Sequence, residues 1–421
     1  MSVQDVISQM MDRVVITDNR MQGKVKYPLL PTIFAIIIAW CGGCNSCQSV
    51  ELYWWSHLAK LRELIPGLPD HCISHDTVNR LLRTVRFNEL HCFLHEFVNR
   101  VVEAAPNLVK KELRVLALDG QTPRALEYEP KPASLGKKPD DKRLYDRLYY
   151  VTLQDTTNGL SLALDKVNDK ENETKACIRL LSIFDIYDAV VTADALNAQR
   201  PVAKAVIEHH GDYCLSLKDN HKSLCKAVRE AFHNPDLQEL MAYYETSYEK
   251  AHGRIEKRIV KALPADVIKK RILGDWAADC RTIFLAETQS NIVKYDYDRE
   301  PEVRLFLSSI SFDTLEIASL GYRIIRSHWG IENGLHHVLD IDFGQDFMQM
   351  KNRNFADNVE LLDRIALNVV RVLQPQLQRG AQPVSIRGVR QCLNADPALA
   401  VRGLINYLNP AQQDEGTEEQ A

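Results

Sequence analysis

Two strand-like apolar runs each end on an aspartate, and far downstream a long helical pattern carries a glutamate. This order constrains the fold more than any other feature of the chain. The first run is Val115 to Leu118, led by Leu113, and it enters Asp119-Gly120, a turn signal. The second is the β-branched run Val190 to Ala193, which ends on Asp194 and is followed by a helical pattern from about Gln199 to His209. In the third segment His328, Glu332, His336 and Asp340 recur every four residues, which predicts a row along one side of a helix. Trp329, Ile331, Leu335, Val338 and Leu339 supply the apolar surface that would anchor this helix. Carboxylates at the strand ends of an α/β sheet lie where ligands bind, and one on a packed helix is placed more accurately than one on a loop. Taken singly, an aspartate after a strand is more often a turn residue or helix cap, and a lone helical glutamate is most often solvated or ion-paired. Only the ordered trio points to a candidate two-metal site, and its all-oxygen donors suit Mg²⁺ or Mn²⁺.

Around this trio the chain falls into distinct patterns. Up to about Asn107 it reads as helices: Leu30 to Trp40, Cys47 to Leu64, His75 to Val85 and Asn88 to Ala104. Ser74 is a capping residue for the third, which follows a break at Pro66-Gly67-Leu68-Pro69. That helix suits the second position of a helix-turn-helix, with Arg80, Arg83 and Arg86 reaching phosphates. The same arginines equally suit the outside of an ordinary bundle. From Glu112 to about Asp236 strand and helix patterns alternate. Leu148 to Leu153 and Leu160 to Val167 read as a hairpin turning at Gly159, Thr174 to Phe184 as a helix and Tyr213 to Leu217 as a further strand. Residues 237–312 contain charged, strand-like stretches, and the Pro-, Lys- and Gly-rich stretch 126–143 reads as a loop near Asp119. After Leu373 the composition shifts to that of a linker. Residues 385–409 then suit one or two short helices, and the final twelve suit an acidic, disordered tail.

Those residues resemble the H-repeat-associated insertion-sequence transposases, DDE enzymes with a ribonuclease-H-like catalytic domain. The resemblance runs from about Tyr27 to Leu373. It is carried by Ala117-Leu118-Asp119-Gly120, Lys170-Glu171-Asn172-Glu173-Thr174, Thr192-Ala193-Asp194-Ala195, Gln199, Asp212-Tyr213 and Leu217-Lys218-Asp219-Asn220. It continues through His252 to Arg258, His328 to Phe343 with Asp346, Asn358, and Arg364-Ile365-Ala366-Leu367-Asn368. The fold it implies is α/β, a ribonuclease-H-like mixed sheet flanked by helices, with a β-rich insertion ahead of the glutamate helix. The domains would be an N-terminal helical, transposase-associated unit at 1–110, a catalytic unit at 111–375 with the insertion at about 237–312, and a C-terminal segment at 376–421.

The resemblance also implies a function. Asp119, Asp194 and Glu332 would be the catalytic triad and metal ligands, holding two Mg²⁺ (or Mn²⁺) ions. The reaction would cut DNA at the ends of the element and join the freed 3′-hydroxyl to target DNA. DNA contacts are expected from Lys218, Asn220, Arg254, Arg258, Arg323, Arg326, His328, Trp329 and His336, and from Arg80 and Arg83 in the helical unit. The partners are terminal inverted repeats and target DNA, with a homodimer or larger assembly on DNA. The setting is the bacterial cytoplasm, with nucleoid association on DNA. The alternatives are a catalytically silent, domesticated DNA-binding protein of transposase descent and a metal-dependent nuclease of the same fold. The chain departs from the pattern at three places. A wider transposase group carries Tyr-x-x-Arg-x-x-x-Glu-x₆-Lys, but Ile325, His328 and Leu339 occupy those positions here. Gln121 stands where the pattern has Lys after Asp-Gly, and Gln345-Asp346 stands where it has Glu-Asp.

Composition limits this reading without overturning it. With 421 residues the chain can build two or three domains. Its formal charge of −4 means that positive charge must be segregated if DNA is the partner. Candidate clusters are Lys137-Lys138 with Lys142, Arg143 and Arg147, then Arg254 to Arg258, Lys269-Lys270-Arg271, and Arg323 with Arg326. No secretory signal is evident. The longest apolar stretch, Leu29 to Trp40, falls short of the roughly 20 residues that a spanning helix needs. The ten cysteines show no regular pairing, so free thiols are expected. Cys41, Cys44 and Cys47 have zinc-compatible spacing, but they read better as small residues at a tight turn after a buried helix.

Overall fold

The computed structural model describes Asp12 and residues 15–104, 113–122, 127–128, 146–167, 172–218, 221–251, 254–292, 297–312, 316–345, 348, 350, 352–379 and 382–401. Asn220, Asp346, the stretch 129–145 and the acidic tail, all singled out above, lie outside the described residues.

The first helix, α1 (Leu29–Cys41), is apolar nearly all round and accordingly buried along most of its length. It ends at Gly42-Gly43, where Gly43 takes φ +100°, a conformation that favours glycine. Helix α2 (Cys47–Leu64) starts on a reciprocal cap. Ser46 Oγ accepts from the Ser49 N–H at 3.1 Å, and Ser49 Oγ accepts from the Ser46 N–H at 3.0 Å. Helices α3 (His75–Thr84), capped by Ser74, and α4 (Phe87–Ala104) complete the helical unit.

The sheet strands are β1 (Arg114–Gln121), β2 (Tyr150–Asp155), β3 (Leu160–Lys166), β4 (Ala189–Ala193) and β5 (Asp212–Leu217), with α5 (Glu173–Ile183), α6 (Arg200–Glu208) and α7 (Lys222–His233) interleaved. After α7 come β6 (Ala242–Glu245), β7 (Arg254–Pro264), β8 (Thr282–Ile292) and β9 (Glu302–Ser308). Along the sheet the order is β3-β2-β1-β4-β5-β9-β8-β7-β6. Only the β1–β4 and β4–β5 pairs are parallel; the other neighbours are antiparallel. Three strands, helix, strand, helix, strand, helix is the ribonuclease-H-like order expected from the sequence. The β-rich insertion is also as expected, and its strands extend the same sheet through the β5–β9 pair.

Alternation along the strands separates two cores. Val115, Val190 and Cys214 face one apolar cluster with Phe284, Phe306 and Ile324. Their chain neighbours Leu116, Val191 and Leu215 face the other, with the helical unit. On the first face lies α8 (Ile317–Ile331), against β1, β4 and the insertion strands. Gly321 lets it approach closely, since a Cβ there would stand 2.4 Å from the Phe284 ring. On the second lies α10 (Arg353–Leu373), which packs on α1, α3, α4 and β3 and is buried along nearly its whole length. The chain then forms α11 (Ile386–Ala395) against α10 and α1.

The expected four-residue row around Glu332 is corrected here. After α8 the helix widens into a π segment, Glu332–His336, before resuming as α9 (His337–Asp342). The Gly334 carbonyl instead receives a hydrogen bond from the Arg371 guanidinium of α10. Such an inserted residue breaks the i, i+4 spacing and turns successive side chains in new directions.

Ile365, fully buried at the middle of α10, tests how much this helix contributes to the second core. Ile365→Ala is expected to lower unfolding stability by about 2–5 kcal/mol, measured in urea with an unchanged m-value.

Candidate active site

The parallel pairing of β1 with β4 brings the two aspartates together. Leu118 pairs with Ala193, so Asp119 and Asp194 are the next residues on adjacent strands. Neighbouring strands lie about 5 Å apart, which sets the two carboxyls side by side at the same sheet edge. Each is oriented by its own backbone. Asp119 Oδ1 accepts from the Gly120 N–H at 2.9 Å, and Asp194 Oδ1 accepts from the Asn197 N–H at 3.0 Å.

Two histidines fix the glutamate helix to these strands. His328 Nδ1 lies 3.0 Å from Thr192 Oγ1 on β4, and His336 Nδ1 lies 3.5 Å from Asp119 Oδ2. Glu332 stands between them, exposed, at the first residue of the π segment. Burial pulls His328 down to about 4 and His336 down to about 3, so both rings are neutral at ordinary pH. The His336–Asp119 approach is therefore a polar contact of a neutral imidazole and not an ion pair. His336 Nε2 is buried without a hydrogen-bond partner. These two residues thus wall the site from within, whereas the sequence suggested DNA contacts.

The acids act on one another electrostatically. Asp119 is pushed up to about 7, first by burial, then by the charges of Asp194, Glu332 and Glu173. Glu173, at the start of α5, is thus a fourth carboxylate at this edge. Sequence reading gave it no role, although it lies in the Lys170–Thr174 motif. Its Oε2 is buried without a partner, and Tyr149 hydrogen-bonds to its side chain. Tyr149 also covers Gly120, where an added Cβ would stand 1.8 Å from the phenol oxygen.

The donor set is chemically suited to a hard divalent cation. It consists of oxygens, it is anionic, and the Asp119 carboxyl holds its proton for want of a counter-charge. Among the described residues, no three of His, Cys, Asp or Glu stand close enough to grip an ion as they are. Cys41, Cys44 and Cys47 lie at the α1–α2 turn, and burial pushes their thiols up to about 12, 11 and 11.

The other residues singled out by sequence divide into groups. Arg254, Arg258, Arg326 and Trp329 line one cleft between α8 and strands β7–β9, together with Arg299 and Arg304. Trp329, one turn before Glu332, lies under the Arg304 guanidinium at 4.7 Å. Arg258 is tied to Glu249 at 3.0 Å and to Glu256. Lys218, after β5, and Arg323, on α8, are exposed outside that cleft. Arg80 and Arg83 are exposed on α3, in the helical unit.

The elevated carboxyls have a consequence for stability. Asp119 and, on α10, the buried Asp363 both sit at about 7 against an ordinary 3.8. Between roughly pH 4 and 7 the folded protein therefore holds protons that the unfolded chain has released. Buried His91, His328 and His336, held at about 4, 4 and 3, act in the opposite sense below about pH 6.5, so the aspartate is read as a difference: the stability of the metal-free wild type relative to Asp119→Asn should fall as pH rises from about 4 to 7. Urea unfolding of both proteins from pH 4 to 8 checks this, and a flat or rising difference between them would contradict it.

Comparison with known proteins adds to the geometry. Residues 110–368 match the family described as "Transposase DDE domain", and residues 14–98 match the one described as "DDE_Tnp_1-associated". "Putative protein YbfL" of Escherichia coli K12 is 27% identical over 374 residues, covering 86% of this chain and 90% of its own. "H repeat-associated putative transposase YhhI" of the same strain is 26% identical with the same coverage. A piggyBac transposase in a synaptic complex with hairpin DNA superposes with a TM-score of 0.39 at 12% identity, covering 98% of this chain and 79% of that one. That likeness is too low to argue from. Among the described residues, no helix is long and apolar enough to cross a membrane.

Proposed function

The chain belongs to the DDE-domain transposase family, and from that premise we propose that it cuts DNA at the ends of a mobile element and joins the freed 3′ end to target DNA. The observation that carries this reading is the juxtaposition of Asp119, within β1, and Asp194, just past the parallel β4, with Glu332 close enough to raise the Asp119 pKa. Asp119, Asp194 and Glu332 are the groups that would hold Mg²⁺ or Mn²⁺. Such ions, when bound as a pair, lower the pKa of water and stabilise charge on the attacking and departing oxygens.

The protein's own contribution is position and proton state. Asp119 must release its proton to act as a ligand, so cation affinity should rise with pH up to about 7. Neutral His328 and His336 hold the Glu332 segment against the strands without adding positive charge that would repel a cation. The cleft of Arg254, Arg299 and Arg326 would take the phosphate backbone and lead it past Trp329 to the acids. In the first step water attacks a phosphodiester and the 3′-oxygen leaves. In the second the freed 3′-hydroxyl attacks target DNA and displaces another 3′-oxygen, so the number of phosphodiester bonds is conserved. Both element ends must be brought to one target, which favours a homodimer or larger assembly on DNA.

Asp119→Asn, Asp194→Asn and Glu332→Gln should each lower cleavage of an element-end duplex by at least about a thousandfold while leaving DNA binding intact. Any of them cutting at the wild-type rate would remove that residue from the site. Joining of a pre-cut end to plasmid DNA separates a transposase from a nuclease, which would cut and not join. Arg254→Ala and Arg326→Ala should weaken binding about equally across sequences. Each should also reduce the salt dependence by about one counterion, read by titration at several ionic strengths.

A further inference from the structure

Gln121 closes β1, two residues after Asp119, and Gln345 follows α9, on the segment leaving Glu332. The two side chains meet in the interior. Gln121 Nε2 donates to Gln345 Oε1 at 3.2 Å, and Gln345 Nε2 donates to Glu360 Oε1 at 2.6 Å. Arg364 Nη1 donates to Glu360 Oε2 at 2.5 Å, and Arg364 Nη2 donates to Gln121 Oε1 at 3.3 Å, which closes a ring of four side chains. Gln345, Glu360 and Arg364 have no solvent exposure and Gln121 has 9%.

The ring has only one workable orientation. A guanidinium can only donate and an ionised carboxylate can only accept. The Gln121 carbonyl must therefore face Arg364, its amide nitrogen must face the Gln345 carbonyl, and the Gln345 nitrogen must face Glu360. Asp363 Oδ2 also receives the Gln345 nitrogen at 3.3 Å, while Asp363 Oδ1 receives Trp40 Nε1 of α1 at 2.7 Å. Arg364 Nη2 reaches Thr152 on β2 at 3.2 Å. The Asp119 strand and the segment beyond Glu332 are thus pinned to each other and to α10 by groups that cannot reverse.

Both glutamines are departures from the sequence pattern, which has lysine and glutamate at these positions, and the structure puts the two departures on one hydrogen bond. We propose that Gln121 and Gln345 are a coupled positioning pair that holds the Asp119 strand against the segment leaving Glu332. The proposal rests on the active site proposed above. Neither residue touches substrate or metal in this role. A lysine at 121 could not accept from Arg364, and a glutamate at 345 could not donate to Glu360 or Asp363. Each single exchange therefore leaves a buried charge without its partner. The double exchange supplies both charges at once.

The test is a double-mutant cycle of Gln121→Lys, Gln345→Glu and the double variant in the full-length chain. Three quantities are read: thermal unfolding without metal, the Mn²⁺ concentration giving half-maximal stabilisation, and cleavage of an element-end duplex. Each single variant should raise the Mn²⁺ midpoint by about tenfold or more and slow cleavage, and the double variant, in which the two new charges can meet, should be less impaired than the two singles added together. Leu61→Ala, at a fully buried position of α2 in the helical unit, serves as the control and should lower stability but leave the Mn²⁺ midpoint unchanged. Singles that lose stability with an unmoved Mn²⁺ midpoint reduce the pair to a structural contact and overturn the proposal. So do additive singles with no recovery in the double. If the singles do not fold, the double variant decides alone: a double variant that folds, binds Mn²⁺ and cuts supports the coupling, and one that does not fold overturns it. A wild-type chain that neither binds Mn²⁺ nor cuts overturns the proposed function, and this role with it, whatever the stability cycle reads.

Discussion

Helix α10 carries Asp357, Asn358, Glu360, Asp363, Arg364 and Asn368 into the interior, and the fold depends on every one of them finding a partner there. Each reaches a different part of the chain. Asp357 accepts from Tyr150 at 2.8 Å and pairs with Lys166 at 3.1 Å. Asn358 donates to the Leu82 and Val85 carbonyls at the end of α3, and Asn368 exchanges hydrogen bonds with the Ser161 backbone on β3. Asp363 holds Trp40 of α1, and Arg364 reaches β1 and β2. An apolar helix would bury as much surface. A polar helix with directional partners also fixes the angle between the helical unit and the sheet, because any slip leaves a buried group unpaired at a cost of about 1–3 kcal/mol.

That fixed frame permits an active site that opposes folding. In the metal-free protein, burial and repulsion from Asp194, Glu332 and Glu173 hold the proton of Asp119 up to about 7. A cation relieves this like-charge repulsion, so the same arrangement that costs stability in the metal-free state provides affinity for metal. The two histidines flanking Glu332 fit the same logic. They are buried neutral, so they brace the helix without neutralising the acids. The arginines of the adjoining cleft beside Trp329 share it with Glu256, Glu287, Glu300 and Glu302, and Arg258 and Arg304 are paired with two of these glutamates.

Part of this was legible in the sequence because it was local. A β-branched run into Asp-Gly, a capping serine and an apolar helical stripe each report on a few neighbouring residues. Asp194, just past β4, and the first two helices therefore lie close to where the spacing puts them, but the turn expected at Asp119-Gly120 does not form, since β1 runs on to Gln121 in register with β2. The row His328, Glu332, His336, Asp340 was misleading, since periodicity assumes an unbroken α-helix. The π segment at Glu332 depends on Arg371 of a distant helix, which takes the Gly334 carbonyl. Nor could spacing say that His328 faces Thr192, or that Arg254 and Arg326 share a cleft while Lys218 and Arg323 lie outside it.

The sequence by itself determined the α/β class, the order of strands and helices and an aspartate at or near the end of each of two strands, since hydrophobic period and β-branching act over short stretches of chain. Tertiary structure alone decided that Glu173 joins the acids, that two neutral histidines wall them, and that Gln121 and Gln345 form one buried contact. Those relations depend on register and burial. Two residues far apart in the chain acquire a pKa, an orientation or a partner only when a third element, here α10, removes water from between them.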